Sequence, residues 1–169
     1  MKKAVVVPVL LLLGGLYTQT LSSARSDEPK VLEFDTMFGV TGPFLGAANA
    51  IQGVPGAGAP WTNPTVEGEL GSDGKLEIEI RGLVLVSTGA NPAATFRGIV
   101  SCRSIDASTT PPTATTVVVV TGAFLATTTG NAKIEDTVVL PSPCVVPIVF
   151  VGPGTGAVRW FSATGIATN

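Results

Sequence analysis

The stretch V-E-G-E-L-G-S-D-G-K-L-E-I-E-I-R-G-L-V-L-V, Val66 to Val86, carries the first structural information in the chain. Apolar and polar residues alternate with period two on both sides of Ser72-Asp73-Gly74, the pattern of two half-buried antiparallel strands joined by a tight turn. A three-residue loop with Gly74 at positive φ sets Leu70 opposite Leu76, Val66 opposite Ile80, Glu69 opposite Glu77 and Glu67 opposite Glu79. A loop one residue longer or shorter would set glutamates against leucines, so the sequence specifies this register. The hairpin presents Val66, Leu70, Leu76, Ile78 and Ile80 to a layer that the rest of the chain must supply.

Upstream, Val31 to Val40 reads as a first strand after a polar lead-in, Arg25 to Lys30. Thr41 to Pro64 is a long loop rich in glycine and proline; loops of this length inside a domain are often functional. Downstream, strands are expected at Leu83 to Val86, Thr95 to Ile105, Thr115 to Phe124, Ala132 to Leu140, Val145 to Val151 and Ala157 to Thr164. Because Val117 to Val120 is free of charge, Thr115 to Phe124 is expected at the centre of a sheet, where its edges are covered. Asp136 falls on the inward face of its strand with Ala132, Ile134 and Val138, and needs a partner there. Seven to eight short strands at this spacing predict an all-β fold, a two-layer antiparallel β-sandwich, with an open Greek-key barrel as the alternative.

The chain has 169 residues, 13% of them charged, with 20 glycines and 13 prolines. Such a composition suits short strands and turns, and no sustained helical period follows the N-terminal segment. Met1-Lys2-Lys3, the apolar run Ala4 to Leu16 and the small residues Ser22-Ser23-Ala24 read as a signal peptide, residues 1–24, leaving residues 25–169 as a single domain. The run is shorter than the roughly 20 residues of a membrane span, so no membrane anchor is expected after signal removal, and the product is expected to be secreted or periplasmic. Loss of Lys2 and Lys3 moves the net charge from −2 to −4, which disfavours nucleic acid as a partner.

Several strings stand together here: F-D-T-M-F-G-V-T-G-P-F-L-G-A-A-N-A-I-Q-G-V-P-G (Phe34 to Gly56), G-E-L-G-S-D-G-K-L-E-I-E-I-R-G-L-V-L (Gly68 to Leu85), I-V-S-C (Ile99 to Cys102) and L-P-S-P-C-V-V-P-I-V-F-V (Leu140 to Val151). Over nearly the whole mature chain they resemble a family of uncharacterised small exported bacterial β proteins. The resemblance implies export and a common fold, and assigns no catalytic residue. In that family the position of Asp136 is usually small and apolar, so the acid here is a departure. A weaker likeness, over Val54 to Leu83, is to the chordin-type repeat; the histidine that usually follows there is missing, and its metal chemistry does not carry over.

The chain contains no histidine, which removes Ser-His-Asp and Cys-His nucleophile systems and histidine-bearing zinc sites. Two cysteines in an exported chain pair, so a Cys102–Cys144 disulfide is expected, joining neighbouring strands or two sheets. Glu67, Glu69, Glu77 and Glu79 form a square of like charges on one face of the hairpin. Lys75, Arg81 and basic residues of adjacent strands, such as Arg97, Arg103 or Lys133, are expected to interleave with them. The sharper alternative is a weak Ca²⁺ site, as extracellular modules bind calcium at about 10⁻⁴ to 10⁻³ M. Trp61 and Phe44 in the long loop are candidates for a binding surface, or Trp61 folds back as a lid; Trp160 reads as core.

No cofactor is expected. The function these residues point to is that of a binding or structural module of the cell exterior, meeting an extracellular ligand or protein partner. Two alternatives stand beside it. One is a histidine-free hydrolase using hairpin carboxylates. The other is an adhesin or pilus-like subunit that adds a strand to a neighbour, which requires an unpaired apolar edge strand.

Overall fold

The hairpin forms in the register its alternation dictates. Strands β2 (Thr65–Gly71) and β3 (Lys75–Arg81) pair Val66 with Ile80, Glu67 with Glu79, Glu69 with Glu77 and Leu70 with Leu76. The turn between them is Ser72-Asp73-Gly74, with Gly74 at φ +87°. A computed structural model of the chain describes residues 29–165, and the expected signal segment lies outside them. The other strands are β1 (Lys30–Gly39), β4 (Thr95–Asp106), β5 (Thr113–Val120), β6 (Phe124–Leu125), β7 (Ala132–Thr137), β8 (Val145–Pro153) and β9 (Ser162–Thr164).

The expected two-layer sandwich does not form. All strands belong to one antiparallel sheet of order β5-β4-β8-β9-β1-β2-β3-β7, with β6 also paired to β4, and the sheet curls strongly into a half-barrel. Strand β1 is the reason. Its first half pairs with β2 and its last residues, Met37 to Gly39, pair with β9. Register shifts at Lys30/Leu32 and Phe34/Thr36 bend the strand between the two partners. A strand serving both halves joins what would have been two layers into one surface, and the hydrophobic cluster fills its concave side.

The inward side of the hairpin packs as its pattern requires: Val66, Leu70, Leu76, Ile78 and Ile80 are all buried. Gly68 shares that side with them, and the ring of Phe34, from the paired position on β1, fills the space where a side chain would stand. On β4 both faces are buried from Phe96 to Cys102. The second face is covered by the long loop rather than by another sheet. Gly46 N–H donates to Ala57 O, Ala57 N–H to Trp160 O and Trp160 N–H to Pro55 O, while Ser101 Oγ donates to Gln52 Oε1 at 2.9 Å. Thr41 to Pro64 is thus part of the packed structure.

Two further expectations are corrected. The uncharged strand expected at a sheet centre, observed as β5, lies at the end of the sheet and, among the described residues, pairs only with β4. Absence of charge reports a strand's tolerance of burial but not its place in the strand order. Leu83 to Val86 is no strand; after the bend at Gly82, Leu83 N–H bonds Gly130 O and Leu85 meets Trp61 in an isolated bridge.

Asp136 faces inward, opposite Leu76. Its partner is backbone rather than a cation. Oδ2 accepts the Gly122 N–H at 2.8 Å and Oδ1 accepts the Thr137 N–H at 2.9 Å, tying β7, at one end of the sheet, to the segment after β5, at the other. These amides, Gly122 first, hold the carboxyl below its ordinary value of 3.8. A group with a depressed folded pKa contributes stability above its unfolded pKa and loses it as pH falls through the folded one. Asp136→Asn should therefore be less stable than the parent at neutral pH, and urea midpoints measured down the pH scale should converge below about 3.8. A gap that stays constant into strong acid would contradict this.

Candidate functional site

Extending the hairpin register to both neighbours builds a broader charged surface than the hairpin alone. Glu33 on β1 stands opposite Glu69, which stands opposite Glu77, which stands opposite Glu135 on β7. Four carboxylates form a row across four strands. In the next row Glu67, Glu79 and Lys133 follow one another. Most of these side chains rim an open trough of about 870 Å³ lined by Glu33, Phe34, Asp35, Glu67, Gly68, Glu69, Glu77, Glu79 and Lys133.

Carboxylates directly opposite one another destabilise a sheet unless cations intervene. Lys30 Nζ lies 3.1 Å from Glu33 and 2.9 Å from Glu69. Lys75 pairs with Glu77, Arg81 with Glu79, and Lys133 with Glu135 at 3.1 Å. The hydrogen bonds to these carboxylates, Glu69 first for Lys30, Glu77 for Lys75 and Glu135 for Lys133, raise the three lysines above their ordinary value of 10.5. The lysines are exposed and the carboxylates at most half-buried, so solvent screens these pairs and each contributes little to stability. Glu67 makes no ion pair or hydrogen bond among the described residues.

Lys75, Arg81 and Lys133 thus interleave with the acids as the sequence leads one to expect. Arg97 and Arg103 do not. Arg97 is buried and donates from Nη2 to Gly156 O at 3.1 Å; Arg103 donates to Thr116 Oγ1 at 2.7 Å. Lys30, Glu33 and Glu135 are the members that sequence reasoning missed. Lys30 sits beside Pro29 in a polar segment that reads as lead-in, and Glu33 and Glu135 come into line only once the neighbours of the hairpin are known.

Among the described residues no group of three or more carboxylates or thiolates is arranged to hold a metal ion. Thermal unfolding in millimolar Ca²⁺, in Mg²⁺ and in NaCl of matched ionic strength should give the same small shift in melting temperature. A calcium-specific rise would instead establish a cation site on this face.

The loop aromatics fall apart as a pair. Trp61 is 5% exposed, stacked on Phe161 with ring centroids 3.8 Å apart and edge-on to Phe96. It is a lid over the end of the core and presents no platform to solvent. Phe44 is 41% exposed and leans on the buried Trp160 at 6.3 Å. Cys102 and Cys144 are joined, with Cα atoms 5.0 Å apart, and tie β4 to the turn before its neighbour β8.

No family model matches this chain, and no curated protein and no solved structure matches it either. The disulfide fits an oxidising compartment. No helix among the described residues is long and apolar enough to cross a membrane.

Proposed function

We propose that the chain is a binding or structural module of the cell exterior, secreted or periplasmic, whose acidic sheet face meets a cationic extracellular partner. The observation that carries this reading is the four-strand row Glu33, Glu69, Glu77 and Glu135 with Glu67 and Glu79 beside it. These acids outnumber the Lys30, Lys75, Arg81 and Lys133 cations on the same face, so the surface keeps a negative field.

The hydrolase alternative needs a carboxylic acid walled off from water opposite a second carboxylate. Glu69, Glu77 and Glu79 are instead 41%, 34% and 49% exposed, in salt bridges on an open surface. That arrangement favours electrostatic contact over bond cleavage.

The reading is tested by retention of the purified protein on washed envelopes of the producing organism. Binding at low ionic strength should be released by NaCl and weakened about tenfold by Glu67→Lys, which reverses the carboxylate without a partner on this face. Retention that ignores both salt and the charge reversal would remove the acidic face from the function. An adhesin or pilus-like subunit is the second reading, favoured by a single feature, the free uncharged edge of β5.

A further inference from the structure

Among the described residues strand β5 ends the sheet with one side unpaired, and no charged residue occurs anywhere from Ala107 to Ala132. Edge strands in monomers carry lysines, prolines or bulges that block pairing with another chain. The segment Thr113-Ala114-Thr115-Thr116-Val117-Val118-Val119-Val120 carries none of these, and Val118 and Val120 are 37% and 40% exposed. The opposite end of the sheet is protected. Strand β7 bears Lys133, Glu135 and Asp136, lies against β6, and is pinned through Asp136 to Gly122.

The hydrogen bonding of β4 shows which groups of β5 are unused. Gly154 N–H bonds Thr95 O on the β8 side, and Thr121 N–H bonds Gly98 O on the β5 side. Because antiparallel ladders alternate, odd-numbered residues of β4 bond β8 and even-numbered ones bond β5. Their partners on β5 are Thr113, Thr115, Val117 and Val119. The N–H and C=O groups of Ala114, Thr116, Val118 and Val120 therefore point away from the sheet.

We infer that β5 is a dimerisation edge, pairing antiparallel with β5 of a second copy about a two-fold axis at Val117. That register sets Ala114 opposite Val120, Thr115 opposite Val119 and Thr116 opposite Val118 of the other copy. It engages all four outward-facing residues and aligns β-branched side chains across the junction. A second copy is the occupant because of charge. The chain is acidic, with a pI near 5.0, and two copies repel over most of their surface; a strand with no charge meets its own image without that opposition. Growth stops at two, because the β7 end offers no equivalent edge. This inference stands on β5 alone and does not depend on the acidic face.

The test is sedimentation of the oxidised secreted chain from about 10 μM to about 1 mM, with amide hydrogen exchange followed by NMR over the same range. A dimer should appear with concentration. Amides of Thr115, Val117 and Val119 should be protected throughout, and those of Thr116, Val118 and Val120 only where the dimer forms. Val118→Pro removes an outward donor without touching the β4 ladder and should raise the dimer dissociation constant at least about tenfold. If that variant fails to fold, Val118→Lys, which keeps the donor and adds a charge at the junction, should do the same. A monomer at every concentration, a dimer whose even-numbered β5 amides stay unprotected, or a different protein's strand on β5 would each overturn the inference.

Discussion

Removing the disulfide with Cys102→Ala and Cys144→Ala will lower the stability of the oxidised chain by about 4 kcal/mol, the larger of the effects expected here. The two cysteines are 42 positions apart, and in the chain-entropy account a cross-link of that span restricts the unfolded ensemble by about this amount. Cys102 is fully buried, so its loss also leaves a small void, whereas Cys144 lies in the turn before β8. Urea unfolding of the oxidised parent, the reduced parent and the double variant separates these contributions. The reduced parent should have a melting temperature about 10–20 °C below the oxidised parent, and the double variant should unfold slightly before the reduced parent, by the cost of the void at Cys102. Equal midpoints for all three would show that the bond does not restrain the unfolded chain.

The second large effect is at the hairpin turn. Gly74 has φ +87°, and its carbonyl accepts the Val138 N–H at 3.0 Å where β7 runs out beside β3. A Cβ built there would stand 1.9 Å from the Val138 carbonyl oxygen. Gly74→Ala must therefore both strain the turn and push β7 off β3, at a combined cost of about 3 kcal/mol or more. Gly82, at φ +76° with nothing within 4 Å of its absent Cβ, is the control. Gly82→Ala carries the backbone strain alone and should cost about 1 kcal/mol. If the two variants unfold at the same urea concentration, the contact with Val138 contributes nothing.

Different physical signals made different parts of this molecule legible. The β2–β3 register was readable to the residue because like faces like across it, and a one-residue slip would turn every leucine outward. β1, β4 and β8 were readable as strands for a related reason, since β-branched and aromatic runs bounded by glycine and proline have few other uses. The layer arrangement was not readable. Strand number and spacing are the same for a sandwich and for a curled sheet, and the difference lies in the bend of β1 around Phe34 to Thr36, which leaves no mark in the alternation. The edge position of β5 was hidden for the opposite reason, because its valines look the same whether one neighbour or two stand beside them. On the acidic face, the hairpin glutamates were visible in advance, while Lys30 and Glu33 required knowing that β1 and not another strand lies against β2.

The place of β9 in the sheet bears on the order of events during folding. Ser162 to Thr164 is the last strand to be synthesised among the described residues, yet it sits in the interior of the strand order, bonded to β8 on one side and β1 on the other, with Val149 N–H donating to Thr164 Oγ1 at 3.1 Å. A chain delivered N-terminus first can close the β2–β3 hairpin as soon as Arg81 is free, because that contact is local. Asp136 on Gly122 and β7 against β6 can link the β1–β2–β3–β7 half to the β4–β5–β8 half before that, but the strand path from β8 to β1 stays open until residue 164 is released. Completion of the sheet thus waits for three residues that are made after every other described strand.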